Sequence, residues 1–192
     1  MTCRIVVVGS SWGGVTALGR LLAGLPDDLN VPVVVAQHRR DAPSMLARLL
    51  ERQTDRRVCE AADKDTLTPG TVYLAPAGYH LLVERPGHLA LSTEGPVRFA
   101  RPSIDVLFES AATAYRSGVV GVVLTGTNDD GAAGLAAIVA RGGHAVVQDP
   151  ASAERPAMPL AALATGIAAA VLPLDEIGPY IGSRCGAEAI PA

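Results

Sequence analysis

The sequence predicts an α/β domain built on a parallel sheet that helices cover on both faces. Three observations carry that expectation. Continuous apolar, β-branched runs of strand length recur along the chain, of the kind buried on both sides in a parallel sheet. Amphipathic helical patterns alternate with them. Gly, Pro and Asp clusters punctuate the joins.

Taken in order, Arg4-Ile-Val-Val-Val8 reads as the first strand, and Gly9 to Gly14 as a tight turn of small residues. A helix follows to about Leu25, with Leu18, Leu21, Leu22 and Leu25 at helical spacing, and Pro26-Asp27 ends it. Val31 to Gln37 is a second buried strand finishing at His38, and Pro43 to Arg52 reads as a helix. From Val58 to Leu91, short β-like pieces are separated by Pro69-Gly70, Pro76 and Pro86-Gly87, a pattern of strands and hairpins rather than another βαβ unit. Ser103 is placed to cap a helix over Ile104 to Arg116. Val119 to Leu124 is a third long strand, Ala132 to Arg141 a helix stopped by Gly142-Gly143, and His144 to Val147 a strand. A helix near Met158 to Thr165, a strand at Ala168 to Leu172 and a helix at Leu174 to Ile181 complete the pattern. Residues 1–181 are expected to form one domain, with 182–192 as a flexible C-terminal tail.

Composition excludes several classes of function. Aromatic residues make up only 4% of the 192 positions, and the net charge is −3, so nothing global points to nucleic acid. No apolar run reaches the ~18 residues of a membrane span, and Met1 to Val8 lacks the features of a signal peptide, so a cytoplasmic protein without membrane insertion is expected. Cys3, Cys59 and Cys185 are far apart, odd in number and form no C-x-x-C pair. They are expected to be reduced thiols, with neither a metal site nor a disulfide. Arg39, Arg40, Arg48, Arg52, Arg56 and Arg57 fall close together, interleaved with Asp41, Glu51 and Asp55, as on a solvated face with local ion pairs.

Chemistry-bearing residues gather at strand ends, and the carboxyl edge of a parallel sheet is where ligands bind. Gly9-Ser10-Ser11-Trp12-Gly13 satisfies G-x-S-x-G, which displays a serine on a sharp strand-to-helix turn near helix N–H groups that can stabilise an oxyanion. Adjacent side chains on an extended segment point oppositely, so only one of Ser10 and Ser11 faces the reaction centre, and the central Ser11 is preferred. The same pentapeptide also fits a phosphate-binding turn or a plain βα loop. A serine needs a base. Of the four histidines, His38 ends a buried strand directly, His80 stays open, His88 sits in a hairpin turn and His144 lies at the wrong edge. A carboxylate to orient the imidazole is offered by Asp129 or Asp130, which position alone does not separate and which equally suit a helix cap. The order Ser, His, Asp departs from that of the α/β-hydrolases.

Several separated blocks together resemble the catalytic domain of the chemotaxis protein-glutamate methylesterases, from about Ile5 to Ile181. They are Val8-Gly-Ser-Ser-Trp-Gly-Gly14, Ala36-Gln-His38, Tyr73-Leu-Ala-Pro76 with His80, Arg101-Pro-Ser-Ile-Asp-Val-Leu-Phe108, Leu124-Thr-Gly126 with Asp130-Gly-Ala-Ala-Gly134, and Met158-Pro159. The resemblance implies a doubly wound, mainly parallel sheet with a short antiparallel hairpin excursion. It also implies a Ser11, His38 and Asp130 triad, with Trp12, Gly13 and Thr127 about the oxyanion and substrate pocket. Trp12 and Thr127 depart from the small residue and the Met that the family often has there. The implied activity is hydrolysis of glutamyl methyl esters on chemoreceptor helices, which some relatives accompany with glutamine deamidation, and no cofactor or metal is called for. The implied partner is a methylated receptor, whose acidic segments Arg39 and Arg40 would steer; family members often carry an N-terminal receiver domain, and that control is expected to be missing here or supplied by a separate receiver protein. The alternative is a non-catalytic regulatory or scaffold module that keeps the fold.

Overall fold

The computed structural model describes residues 3–39 and 45–186. Seven strands form one parallel sheet: β1 (Ile5–Ser10), β2 (Val33–Gln37), β3 (Val58–Glu60), β4 (Val72–Leu74), β7 (Val119–Val123), β8 (His144–Gln148) and β9 (Ala169–Leu172). Their order is β3-β4-β2-β1-β7-β8-β9. Two further strands, β5 (His80–Glu84) and β6 (His88–Ser92), form a separate antiparallel hairpin. The expected doubly wound parallel sheet with a hairpin excursion is what the chain forms.

The strand runs have period two, so alternate residues enter different cores. Ile5 and Val7 of β1 join Val34 and Ala36 of β2 in one core. That core is closed by α3 (Ile104–Tyr115), α4 (Ala132–Ala140), α5 (Ala157–Ala164) and the hairpin. Val6 and Val8 join Val33 and Val35 in the other, beneath α1 (Gly14–Ala23), α2 (Leu46–Glu51) and α6 (Leu174–Cys185). Ile5 to Val8 and Val33 to Ala36 are fully buried, which is why these strands read as unbroken apolar runs. At about 1.5–3 kcal/mol per buried Val, Leu or Ile side chain, the two cores dominate the favourable side of folding.

Three expectations need correction. Residues 58–74 do not form hairpins: β3 and β4 pair in parallel and extend the main sheet past β2, with Val58 opposite Val72. Strands of three residues carry too few side chains to reveal which neighbour they meet. The C-terminal helix does not stop at Ile181 but runs to Cys185, because Ile181 and Cys185 lie one turn apart on its buried face. Residues 187–192 of the expected tail lie outside the described residues. Cys3 and Cys185 are not free thiols either; they form a disulfide, with Cα atoms 4.8 Å apart. Cys3 stands at the amino end of β1, and α6 returns to that edge after β9, so topology joins residues that are remote in sequence. Cys59 alone is a free cysteine among the described residues, and burial raises its thiol pKa above the ordinary value.

Candidate active site

The turn after β1 exists because Gly13 adopts φ +77, a left-handed conformation that glycine enters without a Cβ clash. α1 starts at once beyond it, at Gly14. Ser10 closes β1 with its side chain inward and fully buried, and its hydroxyl donates to Gln37 Oε1. Ser11 is half-buried and faces the opposite way. Its N–H donates to Thr125 O at 3.0 Å, and its carbonyl accepts from Gln37 Nε2 at 2.8 Å. The N–H groups of Trp12 and Gly13 have no acceptor among the described residues.

Sheet register brings the next residue alongside. Ser10 of β1 pairs with Gln37 of β2, so Ser11 and His38 are the residues that follow on adjacent parallel strands. The His38 N–H also donates to Ser10 O at 2.9 Å. His38 Nε2 lies 2.7 Å from Asp130 Oδ2. An ionised carboxylate only accepts, so Nε2 carries the hydrogen, and neutral His38 keeps its Nδ1 lone pair for another partner. No hydrogen bond joins the Ser11 hydroxyl to His38 among the described residues.

Asp130 follows β7, and its carboxylate is fully buried. It does not cap α4, whose N-cap is Gly131. Instead it reaches across to α3, accepting from the Ser103 hydroxyl at 2.9 Å and from the N–H groups of Ile104 at 2.7 Å and Asp105 at 3.0 Å. Burial pushes its pKa up, but the hydrogen bond from His38 and the two α3 N–H groups outweigh that and hold it below the ordinary value. Asp130 is therefore an anion at neutral pH, aimed at His38. Asp129 is exposed and pairs with Arg98.

His80 is 1% exposed and engaged at both ring nitrogens, Nε2 with Gly95 O at 3.0 Å and Nδ1 accepting from Ser103 N at 3.1 Å. Sequence reading kept it open as a base; here it anchors the start of α3 behind Asp130. Of the residues expected about the pocket, Gly13 forms the turn. The Trp12 ring is 59% exposed, with Nε1 donating to Glu154 Oε1 at 3.0 Å and Arg155 over its face. Thr127 is exposed at the rim, beyond Gly126. Gly126 permits a close approach: a Cβ there would stand 1.9 Å from Met158 Sδ and 2.8 Å from Ser11 Cβ. Arg39 is largely buried, bonded to Glu60 and to Ala75 O, whereas Arg40 lies outside the described residues.

Sequence reading did not assign Gln37, Ser103 or Thr125 to the site. Gln37 offered one signal, as a polar residue closing an otherwise apolar strand. Ser103 was read only as a helix cap, a role it also fills by accepting from Val106 N. Thr125 ties the turn to the α5 approach, donating to Trp12 O and accepting from Arg155 N.

A buried anion that orients an imidazole, beside a serine on a strand-to-helix turn with free N–H groups, is the equipment for acyl transfer. Among the described residues no helix is long and apolar enough to cross a membrane, and no side-chain cluster suits a metal ion. Residues 6–181 match the family model described as CheB methylesterase. The chain is 42% identical over 180 residues to a putative protein-glutamate methylesterase/protein-glutamine glutaminase of Leptospira interrogans, covering 92% of each chain. It is 44% identical over 184 residues to protein-glutamate methylesterase/protein-glutamine glutaminase 2 of Caulobacter vibrioides, covering 93% of this chain and 53% of that protein. The crystal structure of the Thermotoga maritima CheB methylesterase catalytic domain superposes with a TM-score of 0.88 at 32% identity, covering 94% of this chain and 98% of that one. The chain belongs to the CheB methylesterase family.

Proposed function

We propose that this protein is a cytoplasmic protein-glutamate methylesterase that hydrolyses glutamyl methyl esters on chemoreceptor helices through Ser11, His38 and Asp130. The observation that supports it best is the 2.7 Å contact of His38 with buried Asp130 next to the Ser11 turn. Family membership supports the same chemistry.

In this reading His38 Nδ1 takes the Ser11 proton as the oxygen attacks the ester carbonyl carbon. The resulting oxyanion is met by the N–H groups of Trp12 and Gly13 and by the positive end of α1. Asp130 stabilises the imidazolium without taking its proton. As the C–O bond to the methoxy group breaks, His38 gives that proton to the departing oxygen, and methanol leaves an acyl-serine. Water, deprotonated by His38, attacks the acyl carbon, and the glutamate carboxylate and free Ser11 are restored. The same acyl-serine forms from a glutamine side chain with ammonia leaving, so deamidation, part of the printed names of the Leptospira and Caulobacter relatives, belongs to the reading.

Ser11→Ala is expected to abolish methanol release from a methylated receptor fragment. Full activity in that variant would overturn the assignment. The Ser11 hydroxyl, without a hydrogen bond to His38 among the described residues, keeps a second reading, a non-catalytic module with the same fold. A fluorophosphonate separates the two, because it labels Ser11 only if His38 activates it.

A further inference from the structure

Phe99 is wholly exposed, at 104% of its reference area, in a protein with few aromatic residues. It stands on a tight turn closed by hydrogen bonds in both directions between Val97 and Ala100. Arg98 and Phe99 both have positive φ, 49 and 63, in the left-handed region that a bulky side chain enters only under constraint. The constraint is visible on both sides. Arg98 pairs with Asp105 and Asp129, and Arg101 Nη1 donates to the carbonyl oxygens of Thr93 and Glu94. A strained turn braced to hold an aromatic ring in water does nothing for the core, and strain of this kind collects where a ligand is met.

The turn is also next to the chemistry. Phe99, Arg98 and Arg101 line a cavity of about 590 Å3 whose wall includes His38 and Arg39. Among the described residues that wall holds three arginines and no carboxylate, with Arg39 paired to Glu60 and Arg98 to Asp105 and Asp129. Arg101 has no acidic partner among the described residues. An exposed aromatic side chain beside an arginine without an acidic partner is complementary to an acidic helix with one apolar stripe. The alternative occupant, a second copy of this chain, would meet arginine with arginine at a two-fold contact.

We propose that the Phe99 turn is the substrate-docking element: its ring anchors the apolar stripe of an acidic receptor helix while Arg101 meets its carboxylates, presenting the ester to Ser11. This rests on the methylesterase reading and adds to it the surface that recognises the protein substrate. The turn supplies binding and not chemistry, so small esters should not need it.

The test compares two substrates on wild type, Phe99→Ala, Phe99→Asp and Phe99→Leu, all of which leave the core untouched. One is a receptor cytoplasmic fragment carrying radiolabelled methyl esters, read as methanol release; the other is p-nitrophenyl acetate. Phe99→Ala is expected to raise KM for the receptor fragment about tenfold, as loss of an aromatic anchor does. Phe99→Asp should raise it further by repelling an acidic helix, and Phe99→Leu should restore most of the affinity. Turnover of p-nitrophenyl acetate should stay within about twofold throughout. Unchanged receptor kinetics in Phe99→Ala overturn the inference while leaving the methylesterase reading intact, whether or not the variant alters self-association. An equal loss on both substrates also overturns it. Wild type that cleaves p-nitrophenyl acetate but releases no methanol from receptor overturns the reading itself, and the occupant with it.

Discussion

Gln37 accepts from the Ser10 hydroxyl and donates to the carbonyl oxygens of both Ser11 and His38, at 2.8 and 2.9 Å. One side chain thus fixes the backbone under both Ser11 and His38. Gln37→Ala leaves the buried Ser10 hydroxyl and two carbonyls without partners, at about 1–3 kcal/mol. The melting temperature should fall by several degrees, and p-nitrophenyl acetate turnover should drop about tenfold or more, since small misplacements of reacting groups are costly. Turnover equal to wild type at a lowered melting point would show that the turn holds without the glutamine. Alternation on an extended strand is a local rule, so the sequence showed that Ser10 and Ser11 face opposite ways, and the centre of the pentapeptide marked Ser11. Position alone did not separate the carboxylates, and only the family resemblance pointed to Asp130: the two differ in what lies across the sheet edge, Arg98 for Asp129 and His38 with α3 for Asp130. Position left His80 open for the same reason, because both its partners, Gly95 and Ser103, are distant in sequence.

The first turn of α3 is the mount for the carboxylate. Its Ile104 and Asp105 N–H groups and the Ser103 hydroxyl converge on Asp130, while the Asp105 carboxylate accepts from Gly131 and Gly134 N–H across the same junction. The lowered pKa of Asp130 has a definite sign in stability. A carboxylate with a depressed folded pKa stabilises the fold above its unfolded value, and that contribution is lost as pH falls through the folded value. Asp130→Asn should therefore be less stable than wild type at neutral pH, and the gap should narrow in acid; parallel stability curves from urea melts would contradict this. Activity at neutral pH should fall about 10⁴-fold, as when an amide replaces the orienting carboxylate of a triad. Asp105 works the other way, since burial raises its pKa despite the Gly134 and Gly131 N–H groups. Long strands and helices were legible because each repeats its period several times. β3 and β4 were not, because three residues show no period and their parallel pairing is decided by the sheet they join.

Across the whole molecule, the strand order puts β1 at the centre, between β2 and β7, so the turn after it meets residues from both halves of the chain. The parallel sheet was readable from alternation of elements, but the order of its strands was not. The disulfide was missed because a separation of 182 residues hides two cysteines that the topology brings to one edge. Non-reduced, unfolded protein should show a single thiol to a chromogenic reagent, Cys59, and three after reduction. Closing so long a loop stabilises by about 4–5 kcal/mol in the chain-entropy account, so reduction or Cys3→Ser should lower the melting temperature by on the order of 10 °C. Three reactive thiols before reduction would remove the bridge from the solution structure. With the bridge in place, both ends of the described chain depart from the strands' amino rim, while Ser11 and His38 occupy the carboxyl rim. A dye placed beside Cys3 or Cys185 stands at the far corner, and leaves the rim that carries Ser11 and His38 clear for a bulky protein.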